Sequence, residues 1–313
     1  MDRWREPVFA GAHRLNGNGE LTGLEWVRES GLLTTPVAIT NTHSVGVVRD
    51  ALVAESFEGN NSTWSLPVVG ETYDGGLSDI NGFHVQAEHL RSALAGARGG
   101  PVEEGTVGGG TGMICHEFKG GIGTASRVTD QAVGGYTVGA LVQANHGKRD
   151  WLRIDGVRVG EAIPVSEVPS PWDDQRAASA PPAGSGSIIV VVATDAPLLP
   201  NQCERLAQRA GLGIARVGGT GGHTSGDLFI AFATGNRLPS ALDDDSDRGV
   251  GTYEVRAVDG KVIDRLFDAV IESVEEAIVN ALVAATTVVG RDGITAHALP
   301  HDRLREAMAA HGR

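Results

Sequence analysis

A layered α/β protein is what the sequence predicts, and two observations carry that reading. Apolar runs of strand length alternate with segments whose apolar residues recur every three to four positions, the pattern of strands and helices packed in layers. The punctuation between them is glycine, 44 of 313 residues and about twice ordinary usage, gathered at turns between the short apolar runs. In the first half, Pro36–Thr40, Tyr136–Gln143 and Trp151–Val159 read as strands. In the second half, Ser187–Thr194, Gly213–Val217, Leu228–Thr234 and Thr252–Val258 do. Helical patterns fall at Val45–Glu55 behind a Ser44 cap, at Gln86–Leu94, and at Asn201–Ala210 closing on Gly211. The strongest helix is near the C-terminus, where Ile263, Leu266, Phe267, Val270, Ile271, Val274 and Ile278 form one long face suited to packing on a sheet. No internal repeat is visible.

Length and composition set the class. A chain of 313 residues can bury a large core, as one big domain or two ordinary ones. Hydrophobic residues at 41% and charged residues at 21% are ordinary for a soluble enzyme. The formal charge of -13 argues against a nucleic-acid partner, which needs clustered Lys and Arg, and tolerates cationic substrates. Two cysteines, Cys115 and Cys203, make no disulfide framework and read as buried thiols in a reducing cytosol. No apolar stretch follows the N-terminal residues 1–7, so no signal peptide is expected. The longest apolar stretch, Ala277–Val289, is broken by Asn280, Thr286 and Thr287, so no membrane span is expected either. The expected location is cytoplasmic.

One stretch differs from the rest. Residues 161–186, EAIPVSEVPSPWDDQRAASAPPAGSG, are rich in Pro, Ser, Ala and acid and read as a flexible surface linker. That linker ends in Gly186, and Ser187 then opens the apolar run Ile188–Ala193. A serine hydroxyl is a poor nucleophile until a base takes its proton. No G-x-S-x-G elbow is present to supply a triad. Cutting the chain before the serine is another solution, because the freed α-amine, with an ordinary pKa of roughly 7.7–8.0, becomes a base tied beside the hydroxyl. A glycine before the cut gives the attacking oxygen room.

Seven stretches in order along the chain carry a resemblance. They are LNGNGELTGL (Leu15–Leu24), WSLPVVGETYDGGLSDING (Trp64–Gly82), GTGMICHEFKGGIGTASR (Gly110–Arg127), VGALVQANHG (Val138–Gly147), GSIIVVVATDAPL (Gly186–Leu198), GHTSGDLFIAFATGN (Gly222–Asn236) and EEAIVNALVAATTVVGRDG (Glu275–Gly293). Together they resemble the L-aminopeptidase/D-esterase family, which includes the β-peptidyl aminopeptidases and consists of self-cleaving hydrolases of the N-terminal-nucleophile type. The resemblance implies a four-layer αββα sandwich, one structural domain over 1–313, and autoproteolysis at 186/187 into chains 1–186 and 187–313. It implies no cofactor, and a homo-oligomer, a tetramer or octamer of processed heterodimers. The substrate it implies is a small peptide, aminoacyl amide or ester with a free amino group on an L-α-, D- or β-aminoacyl residue. Members of the family carry a further segment upstream of the part matching Phe9–Leu24, and beside them this sequence begins late: either its start is truncated or misassigned, or the protein manages without those elements.

Carried over by residue, the resemblance makes Ser187 the nucleophile of both self-cleavage and catalysis. Asn145 would aim its side-chain amide at the oxyanion, with Tyr73 assisting through its hydroxyl. Ser225 would relay protons around the Ser187 amine and hydroxyl, and Asp227 would orient that network. Glu71 would receive the substrate's free amine. Read from their neighbours alone, Asn145 is also a turn residue before Gly147, Tyr73 a half-buried core aromatic, and Ser225 with Asp227 a simple turn or helix cap.

Other constellations point elsewhere. The runs at 108–112 and 218–222 lack the G-x-x-x-x-G-K-[ST] phosphate loop and read as turns around an active site. His116-Glu117 lacks the second His of a zinc helix and the ten histidines are scattered, so no metal is expected. Two other readings share the pattern. The ornithine acetyltransferases have the self-cleaving architecture but use Thr, and an uncleaved, non-catalytic relative would keep Ser187 as the first residue of a strand.

Overall fold

An uninterrupted apolar run such as Ile188–Val192 requires burial on both faces of its strand, and the structure provides it. The computed structural model describes residues 6–57, 64–173, 186–238 and 252–313. In chain order the elements are β1 (Val8–Gly17), α1 (Leu24–Ser30), β2 (Leu32–Leu33), β3 (Val37–Asn41), α2 (Val45–Phe57), β4 (Val68–Thr72) and α3 (Ala87–Gly96). There follow β5 (Ile114–Cys115), β6 (Phe118–Lys119), β7 (Gly121–Val128), β8 (Thr137–Asn145), α4 (Val159–Ala162), β9 (Ser187–Thr194) and α5 (Pro200–Arg216). The last are β10 (Gly226–Ala233), α6 (Gly260–Val283), β11 (Val288–Val289), β12 (Thr295–Ala296) and α7 (His301–Ala309).

The main sheet has six strands in the order β2-β1-β10-β9-β8-β7. Strand β9 runs antiparallel to β8 and parallel to β10, so it has neighbours on both edges. Its side chains alternate between two cores. Ile188, Val190 and Val192 pack with Leu206, Ile214, Val270 and Val274 of α5 and α6. Ile189, Leu228 and Ile230 face the other way, onto Leu21 and Val68, with Val191, Val37 and Ile39 packed alongside. Parallel strands β3 and β4 form that second layer. Val69 turns outward from it to meet Val48, Leu52 and Leu90 of α2 and α3. The layers therefore run helix, sheet, sheet, helix, the αββα sandwich. Ile188, Ile189 and Val190 are fully buried, each stabilising the fold by roughly 1.5–3 kcal/mol of apolar transfer.

Several elements depart from the sequence reading. Gly213–Val217, expected as a strand, lies within or just beyond α5, which passes Gly211 without ending and runs to Arg216. Gly213 is needed there for contact, since an added Cβ would fall 2.7 Å from the Ile271 carbonyl of α6. Packing of the amphipathic face outweighs the helix cost of two glycines. Trp151–Val159, also expected as a strand, is a 3₁₀ turn at Arg149–Trp151 followed by a tight turn and then α4. Asp155 and Gly156 both have positive φ, and Ile154 and Val157 exchange backbone hydrogen bonds across them. Thr252–Val258 joins no ladder; its Arg256 amide donates to Asn236 Oδ1 and its Val258 amide to the Pro197 carbonyl. Strands β1, β4 and β7 had no sequence signal.

The linker reading also needs correction over its first part. Within residues 161–173, Ile163 and Val168 are buried. The buried guanidinium of Arg149 donates to the carbonyls of Ile163 at 3.1 Å, Val168 at 3.0 Å, Glu117 at 2.8 Å and His116 at 3.2 Å. It also lies 3.4 Å above the Phe118 ring. One long side chain thus holds the segment to β5 and β6. Residues 174–185, the remainder of the expected linker before Gly186, lie outside the described residues. Among the described residues, no helix is long and apolar enough to cross a membrane.

Candidate active site

Strand direction brings three chain segments to one edge of the main sheet. Because β8 is antiparallel to β9 while β10 is parallel to it, the end of β8 meets the starts of β9 and β10. The register pairs Ser187 with Asn145 on one side and with Gly226 on the other. Cross-strand partners share a face, and alternation from Ile189 puts Ser187 and Asn145 on the face toward β3 and β4. There the end of β4 delivers Glu71 and Tyr73.

Asn145 is fixed at both ends of its amide. Its Oδ1 accepts the Ile114 amide at 2.7 Å, and its Nδ2 donates to the Tyr73 carbonyl at 2.9 Å. Those partners allow one amide orientation only, and the second Nδ2 hydrogen is left for the cavity. Ser187 Oγ accepts the Gly226 amide at 3.2 Å, and the same N–H reaches the Gly186 carbonyl at 3.1 Å. Hydroxyl and carbonyl of the expected cut thus share one donor. Gly186 has φ of 146°, and an added Cβ there would lie 2.2 Å from the Asn145 carbonyl, so the position takes only glycine.

Glu71 is 2% exposed, and its carboxylate accepts the Glu20 amide at 2.9 Å and the Thr42 hydroxyl. Burial raises its pKa, and the charges of Glu20 and Asp74 add to the rise against those two hydrogen bonds. Tyr73 is an exposed aromatic at the cavity rim rather than a core residue. The cavity, about 620 Å³, is lined by Gly186, Ser187, Asn145, Tyr73 and Glu71, with Thr42, His43, Ile114 and Trp172 around them. Its size suits a small ligand. A second cavity of about 680 Å³, between β3 and helices α2 and α3, contains none of the expected site residues.

Ser225 and Asp227 do not line the cavity. Alternation along β10 turns Asp227 to the helical side with Phe229 and Ala231, and the Ser225 hydroxyl donates to its Oδ1 at 2.6 Å from the strand end. Asp227 Oδ2 is buried without a partner. Burial lifts this carboxyl from 3.8 to about 6, against the smaller pull of bonds from the Ser225 hydroxyl and the Ile188 amide. Between about pH 4 and pH 6 the folded chain therefore keeps a proton that the unfolded chain has released, and stability falls as pH rises through that window. In an uncut Ser187→Ala background, Asp227→Asn should remove this contribution, on the order of 3 kcal/mol across the window. Urea unfolding at a series of pH values checks it, and identical pH slopes with and without the substitution would refute it.

The structure also gathers residues that the sequence left apart. Thr42 and the Glu20 amide hold Glu71, and the β3–β4 register that places Thr42 there has no local sequence signal. The histidines are not all scattered in space. Cys115, His116 and His146 are buried with one potential ligand atom each, all within 4.8 Å of one another, a grouping that the sequence spacing did not reveal.

Comparisons with known proteins bear on the family and the fold. Residues 1–296 match the model of Peptidase family S58. The chain is 47% identical to the beta-peptidyl aminopeptidase BapA of Sphingosinicella microcystinivorans, over 99% of this chain and 78% of that protein. It is 42% identical to BapA of Sphingosinicella xenopeptidilytica, over 97% and 75%. Among solved structures, a Burkholderia sp. beta-aminopeptidase superposes with a TM-score of 0.91 at 56% identity, over 100% of this chain and 84% of that one. The L-aminopeptidase D-Ala-esterase/amidase of Ochrobactrum anthropi, a serine-aminopeptidase prototype with a variant of the Ntn hydrolase fold, superposes with a TM-score of 0.88 at 45% identity, over 99% and 83%.

Proposed function

Because the chain belongs to peptidase family S58 and is a serine aminopeptidase, we propose that it cuts itself before Ser187 and then removes N-terminal aminoacyl groups from short peptides, amides or esters. The observation that carries this reading is the register pairing of Ser187 with Asn145 at the floor of the cavity that Glu71 also lines. In the first event Ser187 Oγ attacks the Gly186 carbonyl carbon, the peptide C–N bond breaks, and water hydrolyses the resulting ester. The shared Gly226 N–H is placed to receive charge developing on the Gly186 oxygen. The products are a carboxylate on Gly186 and an α-amine on Ser187.

In each later turnover that amine takes the Oγ proton while Oγ attacks the substrate carbonyl. The free Nδ2 hydrogen of Asn145 faces the developing oxyanion, and the Tyr73 hydroxyl assists from the rim. The departing amine takes the proton, and water resolves the acyl-enzyme. Ser225 and Asp227 act from behind the strand ends, through the Ser225 hydroxyl, on the charge and orientation of the new amine. Glu71 accepts the substrate ammonium, a charge-assisted contact that also relieves the burial of its own carboxylate. The similarity to two beta-peptidyl aminopeptidases and a beta-aminopeptidase makes a β-aminoacyl group the first substrate to try. The same reading takes the enzyme as a cytoplasmic homo-oligomer, a tetramer or octamer of processed heterodimers, and the two buried free thiols fit a reducing compartment.

The test compares β-aminoacyl and L-α-aminoacyl p-nitroanilides, each with its amine free or acetylated, on protein whose chains have been weighed intact. Two chains divided at 186/187 and turnover of free-amine substrates alone are expected. Glu71→Gln should raise KM by roughly 10- to 100-fold, the worth of one hydrogen bond to a charged group. Equal turnover of acetylated substrates would overturn the aminopeptidase assignment of the cavity.

A further inference from the structure

Directly behind Asn145 lies a cluster that the hydrolytic reading does not use. Cys115 and His116 close the short β5 hairpin strand and its turn, and His146 follows Asn145 at the end of β8. Cys115 and His116 are fully buried and His146 is 5% exposed. The Cys115 sulfur lies 4.0 Å from His146 Nδ1. His116 Nδ1 lies 3.0 Å from the Lys148 carbonyl. A carbonyl only accepts, so Nδ1 carries the proton and Nε2 presents a lone pair. That Nε2 has no hydrogen-bond partner among the described residues, and neither does His146 Nε2. Buried polar atoms in native proteins are nearly always satisfied, so these two nitrogens need a partner other than a protein atom, either a water or an ion.

We propose that Cys115, His116 and His146 form a buried site for a soft monovalent cation, Cu(I), held by one thiolate sulfur and two neutral imidazole nitrogens. Donor type favours it, since thiolate with imidazole suits copper and zinc and not the hard oxygen-seeking ions. Size agrees too. A metal roughly 2.0–2.3 Å from each of three donors in a plane places them about 3.5–4 Å apart, and the donors here already lie within 4.8 Å. The His116–Lys148 contact is the outer hydrogen bond that metal-bound histidines ordinarily make.

Charge selects the monovalent ion. The Arg149 guanidinium donates to the His116 carbonyl at 3.2 Å, and the buried Lys119 ammonium donates to the carbonyls of Gly110 at 2.8 Å and Gly120 at 2.7 Å, on either side of the hairpin that carries Cys115 and His116. A divalent cation would add positive charge to a buried site already flanked by two basic groups, which is costly. Cu(I) instead replaces the thiol proton: Cu⁺ and the Cys115 S–H give a Cu–S bond and a proton released to solvent. Neither charge nor oxidation state changes. The cluster lies directly behind the cavity wall, because Gly147 lines the cavity and an added Cβ there would fall 2.4 Å from the His116 ring.

The test titrates the purified full-length protein with Cu(I), anaerobically, against a chromophoric Cu(I) chelator. One equivalent per chain is expected to bind and to raise the thermal midpoint. Cys115→Ser and His146→Gln should each weaken binding at least 100-fold. Cys203→Ser, which removes the other buried thiol, should leave it unchanged. Copper-edge absorption of the unsubstituted protein should give one sulfur and two nitrogen neighbours, a readout that stands even if a variant fails to fold. Absence of binding, binding indifferent to Cys115→Ser, a coordination shell without sulfur, or preferential uptake of Zn(II) would each overturn the proposal.

Discussion

Ser187→Ala should yield a single uncut polypeptide of 32.5 kDa with no measurable hydrolysis of aminoacyl p-nitroanilides. The expected loss is large because one atom has two successive duties. Without Oγ the Gly186 carbonyl has no attacking group, so the α-amine that would serve as base is never released. Removal of a serine nucleophile alone costs on the order of 10⁶-fold in kcat, and here the base disappears with it. The substitution is clean structurally. Among the described residues Oγ accepts from the Gly226 amide alone, and that N–H keeps its bond to the Gly186 carbonyl when Oγ is gone. The loss should therefore appear without a drop in thermal midpoint. Ser187→Cys retains a nucleophile and should still divide the chain, more slowly. Denaturing electrophoresis with intact mass separates these outcomes, and a Ser187→Ala protein that still splits or turns over substrate would end the assignment.

Which parts of this arrangement were legible in the sequence follows from how each is built. Strand β9 declared itself, since Ile188–Val192 must be apolar on both faces to sit between two layers. Helix α6 did too, because Leu266, Val270, Val274 and Ile278 make one continuous stripe. Strand β7 did not. Its GIGTASRV sequence is small and polar because α6 lies against its backbone, and a Cβ at Gly123 would fall 1.8 Å from the Ala277 carbonyl. Close helix–sheet contact thus erases the β-branched signal by which strands are recognised. The Asp155-Gly156 pair carried a hairpin-turn signature that should have outweighed the apolar residues around it.

Beyond Ser187, which the junction of linker and strand singled out, the candidate site was legible only through resemblance. Ser187 and Asn145 belong to strands whose register sets them side by side at the cavity, and local pattern does not encode register. The same holds for Thr42 and Glu71, joined by parallel pairing of β3 with β4. The placement of Asp227 behind the sheet follows from counting residues along β10, once its neighbours are known. Most remote from sequence reading was Arg149. An arginine buried among four carbonyls looks from its neighbours like any surface residue, and its partners span residues 116 to 168.

Asn145→Ala should lower kcat by roughly 100- to 1,000-fold, the worth of one oxyanion donor in a water-poor site, while the chain still divides at 186/187. The two steps separate because they draw on different donors. Self-cleavage builds charge on the Gly186 oxygen, which the Gly226 N–H already touches. Substrate hydrolysis builds charge in the cavity, where the unbound Nδ2 hydrogen of Asn145 points. Alanine also strips partners from the Ile114 amide and the Tyr73 carbonyl, and a buried orphan of that kind costs about 1–3 kcal/mol of stability. Asn145→Asp distinguishes the two effects. Its carboxylate still accepts the Ile114 amide, yet it offers no donor and brings negative charge to the oxyanion. Its second oxygen would face the Tyr73 carbonyl as acceptor against acceptor, so that contact is not restored, and the variant should catalyse no better than alanine whatever its thermal midpoint. If kcat instead followed stability across the pair, Asn145 would be a positioning residue for Ile114 and Tyr73, and the oxyanion donor would have to be sought among the backbone amides lining the cavity.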